Sequence, residues 1–183
     1  METESYLELK VPISNKAKWQ HDLRKNLNGI LVCWQNAHYH ITVAFFKKMG
    51  KEQLMSAANL IDGILAGGET LNITIDKLDA FTTKSGDKHI IYATSSEPDS
   101  KLDGIIKEVR NKLLASKFDI EEFELHITLG RVSVDKISLT DLQNIISTVE
   151  MPSFTLKLSE FEYRKFRKNY KPTIKEWFLK LQS

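Results

Sequence analysis

The sequence predicts a single mixed helix-and-strand domain made of two lobes of similar build. Three observations carry that prediction. The tripeptide His-Ile-Thr occurs twice, at His40–Thr42 and His126–Thr128, each time inside a strand-like apolar run. Two longer segments place apolar residues at steps of 4, 3 and 4, first Leu54, Ala58, Ile61 and Leu65, then Leu102, Ile106, Val109 and Leu113. The length of 183 residues allows one sizeable core, or two small lobes sharing a sheet, and no separate regulatory domain.

Taken in order, Tyr6 to Ile13 alternates as a strand, and Trp19, Leu23 and Leu27 follow at helical spacing. After the Asn28-Gly29 break come two strand-like runs, Ile30 to Gln35 and His38 to Phe46, separated by a polar Gln35-Asn36-Ala37 turn. The first 4, 3, 4 helix stops at Gly67-Gly68. Two strands are expected next, Leu71 to Phe81 and His89 to Ser95, joined as a hairpin through Lys84-Ser85-Gly86-Asp87. Pro98-Asp99-Ser100 opens the second long helix, which precedes the second motif strand. Thr140-Asp141-Leu142-Gln143 reads as a capping box for a shorter helix through Val149, ended by Pro152. The chain then returns to strands, Phe154 to Tyr163 and Ile174 to Leu181. No low-complexity tract or long linker argues for separate domains, so residues 1–183 are read as one.

Charged residues at 27% and hydrophobic ones at 42% are ordinary for a globular protein. No apolar run approaches the ~20 residues needed to cross a bilayer. METESYLELK is acidic and lacks a signal-peptide apolar region, so a cytoplasmic location and no membrane partner are expected. Cys33 is the only cysteine, which excludes an intrachain disulfide and a thiolate metal cluster. A net charge of +2 is too small for a protein that coats nucleic acid generically. A monomer is the default expectation.

In an extended strand residues i and i+2 share a face, so each His-Ile-Thr presents an imidazole and a hydroxyl about 6.5 Å apart. Parity puts His40, Thr42 and Ala44 on one face and Tyr39, Ile41, Val43 and Phe45 on the better core face. In the second copy His126, Thr128 and Gly130 oppose Leu125, Ile127 and Leu129. Two imidazoles facing one phosphorus can transfer a phosphoryl group without a metal, one taking a proton from the attacking oxygen and the other protonating the leaving oxygen. Thr42 and Thr128 can donate hydrogen bonds to the non-bridging oxygens.

Trp34-Gln35-Asn36-Ala37-His38-Tyr39-His40-Ile41-Thr42-Val43-Ala44-Phe45-Phe46 and Leu125-His126-Ile127-Thr128-Leu129-Gly130-Arg131 resemble the two signature segments of the 2H phosphoesterase superfamily. The resemblance is closest to its 2′-5′ RNA ligase-like, or RNA 2′,3′-cyclic phosphodiesterase, branch. It covers most of the chain, since the 86-residue separation of His40 from His126 and the intervening Leu78-Asp79-Ala80-Phe81 strand end also match. The resemblance implies an α+β, bilobal fold in which two pseudo-symmetric antiparallel sheets form a central cleft with helices packed outside. It implies hydrolysis of a nucleoside or RNA 2′,3′-cyclic phosphate to a 2′-phosphate, with reversible 2′-5′ ligation of RNA ends in some members, and no required metal or cofactor. The partners it implies are RNA ends or small nucleotides. By the same resemblance His40 is the proton donor to the leaving 3′ oxygen and His126 the proton acceptor from water. Nothing in the sequence itself distinguishes the two imidazoles.

Arg131 follows the second motif, where the resemblance suggests a phosphate-binding arginine, although parity turns it to the core face unless the strand bends at Gly130. His38 shares a face with His40 by parity, which makes a three-histidine metal site of His38, His40 and His126 the chemical rival. His21 and His89 read as surface or strand-face residues, and Phe81 as core. Tyr163 to Lys171 interleaves five cations with three aromatics, which suits RNA contact or, equally, a solvated loop. Two other functions keep the same residues: the same chemistry on an ADP-ribose cyclic phosphate or a 2′-5′ oligonucleotide, and non-catalytic binding of RNA ends.

Overall fold

Both histidine segments form strands, and the two strands lie side by side at the centre of the molecule. The structure is a computed structural model that describes residues 2–97, 99–166 and 171–180. Its elements run β1 (Thr3–Lys10), α1 (Lys18–Asn26), β2 (Val32–Trp34), β3 (His40–Met49), α2 (Lys51–Leu65), β4 (Leu71–Ile75), β5 (Lys77–Thr82), β6 (Lys88–Thr94), α3 (Ser100–Ala115), β7 (Ile120–Glu121), β8 (Ile127–Ser133), α4 (Leu139–Ser147), β9 (Phe154–Leu158), β10 (Glu160–Phe166) and β11 (Thr173–Phe178). The main strand order is β11-β10-β1-β3-β8-β6-β5, antiparallel throughout, and β4 pairs with β9 in a separate ribbon.

The central strands β3 and β8 meet at one pair, Ile41 opposite Ile127, and then diverge. Beyond it β7 takes the free edge of β3, with Phe46 opposite Ile120, and β2 takes the free edge of β8, with Val32 opposite Val132. Each histidine strand is therefore extended by the short strand that precedes the other one. That exchange is the pseudo-two-fold relation in concrete form, and it yields the α+β bilobal architecture with antiparallel halves flanking a cleft.

Both 4, 3, 4 stripes are buried, Leu54, Ala58, Ile61 and Leu65 on α2 and Leu102, Ile106, Val109 and Leu113 on α3, and the two helices pack together. The Asp99 carboxylate caps α3 by accepting from the Leu102 amide at 2.9 Å. Two expected strands are each broken in two. The Leu71–Phe81 run divides at Asp76, whose carboxylate accepts from the Ser96 amide at 2.7 Å, and the Phe154–Tyr163 run divides at Ser159, whose carbonyl accepts from the Leu179 amide at 2.7 Å. The capping box also moves. Ser138, not Thr140, caps α4: its Oγ accepts from the Asp141 amide at 3.1 Å and donates to Asp141 Oδ2 at 2.7 Å. Gln143 is engaged elsewhere, donating to Asp79 Oδ1 and the Ala80 carbonyl at 3.0 and 2.9 Å, which ties α4 to β5.

Candidate active site

Antiparallel register about Ile41 and Ile127 sets His40 beside Thr128 and Thr42 beside His126. The two isoleucines are 1% and 0% exposed, so their polar neighbours turn to the other face, and all four line one cleft of about 1200 Å³. Each imidazole is held in the same way. His40 Nδ1 lies 3.0 Å from the His38 carbonyl, and His126 Nδ1 lies 2.8 Å from the Glu124 carbonyl, both two residues upstream. A carbonyl only accepts, so both rings carry hydrogen on Nδ1 and leave Nε2 for the cleft.

Two bulges decide what else enters the cleft. In β3 the register slips at Val43, between Thr42 opposite Glu8 and Ala44 opposite Leu7. Parity inverts there, so Ala44 is buried and Phe45 lines the cleft, the reverse of the expected faces. In β8 the slip falls at Leu129, between Thr128 opposite Tyr92 and Gly130 opposite Ile91. The same inversion brings Arg131 to the cleft face with Thr128. A β-carbon on Gly130 would lie 2.9 Å from Val32 Cγ1 and 3.0 Å from the Trp34 ring, so the bulge needs glycine for close approach to β2.

The surroundings of the two imidazoles differ. His126 meets three aromatic rings edge-on, Phe81, Tyr92 and Phe123, with centroids 5.4, 5.9 and 6.3 Å away. Burial among them holds its imidazolium below the usual histidine range, against the Glu124 carbonyl, and the charges of His40 and Arg131 act in the same direction as burial. His40 has the Tyr6 ring at 6.1 Å and the Glu8 carboxylate 3.4 Å from Nδ1. Tyr6, Phe45 and Phe166 form an aromatic wall beneath Lys171, whose ammonium lies 5.7 Å from the Tyr6 centroid and 5.2 Å from that of Phe166. Burial, then Arg131 and Arg164, pulls the Lys171 ammonium below its ordinary range.

Several sequence expectations are revised here. His38 adopts a positive φ of 57° just before β3 and lines a different cavity, so it does not join His40 and His126. Among the described residues no three His, Cys, Asp or Glu side chains converge as metal ligands. Phe81 is a cleft wall against His126, not core. His89 is buried, with Nδ1 2.9 Å from Thr82 Oγ1 and Nε2 3.1 Å from the Ile137 carbonyl. Of the Tyr163–Lys171 stretch, Tyr163 is core, Phe166 and Lys171 reach the cleft, and Arg167, Lys168, Asn169 and Tyr170 lie outside the described residues.

Sequence reasoning missed Glu8 and Arg110. Arg110, on α3, donates from Nε to the carbonyl of the bulge residue Val43 at 2.8 Å and from a terminal nitrogen to the Phe123 carbonyl at 2.6 Å. It clasps the β3 bulge to the loop before β8. No local pattern marks either residue, because each acts on backbone or side chains far away in sequence.

Comparison with known proteins agrees with this geometry. The family model of the 2′-5′ RNA ligase superfamily matches residues 16–169. No curated protein sequence matches the chain. Among solved structures, E. coli LigT complexed with 3′-AMP superposes with a TM-score of 0.66 at 15% identity, covering 98% of this chain and 99% of that one. Kluyveromyces marxianus Usb1 superposes with a TM-score of 0.64 at 12% identity, covering 94% and 97%. At such identities the structures speak for the fold alone, and the family rests on the sequence match over most of the length. With paired His-Ile-Thr strands at its centre and that match across them, the chain belongs to the 2′-5′ RNA ligase superfamily of 2H phosphoesterases.

Proposed function

We propose that the protein is a metal-independent phosphodiesterase that hydrolyses the 2′,3′-cyclic phosphate of an RNA end or small nucleotide to a 2′-phosphate. The observation that carries this reading is the matched placement of the two imidazoles. Each is pinned through Nδ1 to a carbonyl, and each offers Nε2 to the same cleft with a threonine beside it. In the proposed step water attacks phosphorus, and the neutral Nε2 of His126 takes its proton. The bond from phosphorus to the 3′ oxygen breaks as His40 Nε2 delivers a proton to that oxygen. The aromatic surroundings that keep His126 neutral support its part as the base. Thr42 and Thr128 donate to the non-bridging oxygens, and Arg131 adds positive charge at the cleft wall. The Tyr6, Phe45 and Phe166 wall with Lys171 offers a stacking surface to a base. LigT has been solved with 3′-AMP and Usb1 with uridine monophosphate, which favours a nucleotide ligand for this cleft too.

The test is incubation, with EDTA present, of the purified protein with an RNA oligonucleotide ending in a 2′,3′-cyclic phosphate, followed by phosphorus NMR. A 2′-phosphate product is expected, with the rate falling by roughly 10²–10⁴ in His40→Ala and in His126→Ala. Full activity in both variants overturns the reading. Salt-sensitive binding without turnover points to an RNA-end binder, and turnover only of a 2′-5′ oligonucleotide or an ADP-ribose cyclic phosphate changes the substrate within the same site.

A further inference from the structure

A carboxylate stands behind one of the two imidazoles and not the other. Pairing with β3 sets Glu8 opposite Thr42, and the residue, 3% exposed, lines the cavity beside the cleft that also holds His38. Pairing with β10 on the other edge sets it directly opposite Glu162, itself 4% exposed. Two buried like charges in one cross-strand pair oppose folding, and an apolar or hydroxyl side chain would serve the sheet better at position 8. Departures of this kind gather at functional sites.

The two oxygens of Glu8 have separate partners. Oε1 accepts from Arg164 at 3.4 Å, and Oε2 lies 3.4 Å from His40 Nδ1. The groups facing the carboxylate are Tyr6 and Lys10 on its own strand, His40 on β3, and Glu162 and Arg164 on β10, with Lys171 over the Tyr6 ring. Lys10 and Arg164 hold Glu162, at 3.0 and 3.5 Å. The Tyr6 hydroxyl also hydrogen-bonds the Glu8 carboxylate, whose Oε2 lies toward the imidazole. At the pseudo-symmetric position His126 has the matching carbonyl contact, but aromatic rings take the place of the acid.

We infer that Glu8 is a positioning residue that makes His40 the proton donor of the pair: while the Nδ1 hydrogen is held by the His38 carbonyl, the carboxylate 3.4 Å away offsets the positive charge the ring carries until Nε2 gives up its proton. This inference rests on the proposed two-histidine reaction. During the step no proton passes to the carboxylate. Only the proton on Nε2 moves, to the leaving oxygen, and His40 is left neutral with hydrogen on Nδ1.

Glu8→Gln keeps the shape and removes the charge. The expected result is a 10- to 100-fold loss of kcat with KM changed less than twofold. The alkaline limb of the kcat/KM profile moves to lower pH, while the acid limb stays in place. Arg164→Met, which leaves Glu8 without its other cation, moves the alkaline limb the opposite way. A general rate loss with both limbs unmoved, or movement of the acid limb instead, overturns the assignment. A second measurement needs no substrate and so separates this inference from the proposed reaction. In nitrogen-15 spectra of the histidine rings, Glu8→Gln shifts the Nδ1–H resonance of His40 and leaves that of His126 in place. An unmoved His40 resonance rejects the role of Glu8 even if the enzyme is active, and a moved one supports it even if the true substrate is another phosphodiester.

Discussion

In the proposed reaction His126 serves as a neutral base because of what surrounds it. Desolvation by Phe81, Tyr92 and Phe123 penalises its charged form, so its proton leaves below the ordinary histidine value of about 6.5. The acid limb of the rate profile is therefore expected below pH 6.5, and Phe81→Ala, which admits water, should move it up toward that value; a pH–rate series on both proteins checks this. The same depression has a stability consequence. The unfolded chain binds the proton more readily, so the contribution of His126 to stability is complete above about pH 6.5 and is lost as pH falls below it. Thermal melts between pH 7 and 5 should fall more steeply for the wild type than for His126→Gln. At this scale the sequence was informative about identity and silent about neighbours. His40, Thr42, His126 and Thr128 could be read from a repeated tripeptide, whereas Glu8 reads as one more polar residue in an alternating strand.

The elements carry a second layer of information, in the phase of the apolar pattern. Leu71, Ile73 and Ile75 are odd-numbered, Leu78 and Ala80 even; Phe154, Leu156 and Leu158 are even, Phe161 and Tyr163 odd. Each change of parity marks the break the structure shows, at Asp76 and at Ser159. The bulge at Val43 leaves no such mark, because Val43, Ala44, Phe45 and Phe46 are apolar on both faces, whereas that at Leu129 shows as a change from odd Ile127 and Leu129 to even Val132. Arg131 reaches the cleft only through the second bulge, beside the Gly130 position where a bend was the condition for it. Gly130→Ala should test it: the added carbon meets Val32 and Trp34, so about 1–3 kcal/mol of stability is lost, read by denaturant unfolding, and activity falls with the displacement of Arg131. Helix capping offers a cleaner contrast. Ser138→Ala should cost about 1 kcal/mol, and Thr140→Ala within about 0.5 kcal/mol of nothing, by the same measurement.

Across the whole molecule, the cleft exists because the central strands of two antiparallel halves pair at a single residue pair and then part. Ile41→Ala should therefore do more than open a cavity. A loss of about 2–5 kcal/mol, seen in the melting temperature, is expected together with a disproportionate loss of activity, because His40 and Thr42 flank the deleted side chain. Among the described residues no helix is long and apolar enough to cross a membrane. The amino-acid sequence by itself determined the helices and most of the strands, the repeat of build, the four residues of the paired motif and, through their resemblance, the family. These are properties of local period and residue type, which do not depend on what packs opposite. Only the tertiary structure decided that His38 stays out of the cleft, that Phe45 and Arg131 enter it, that Arg110 clasps the first bulge, and that one imidazole faces a carboxylate while the other faces three aromatic rings. Those facts depend on register and on contacts between residues far apart in the chain, and a single inserted residue in a strand is enough to reverse them.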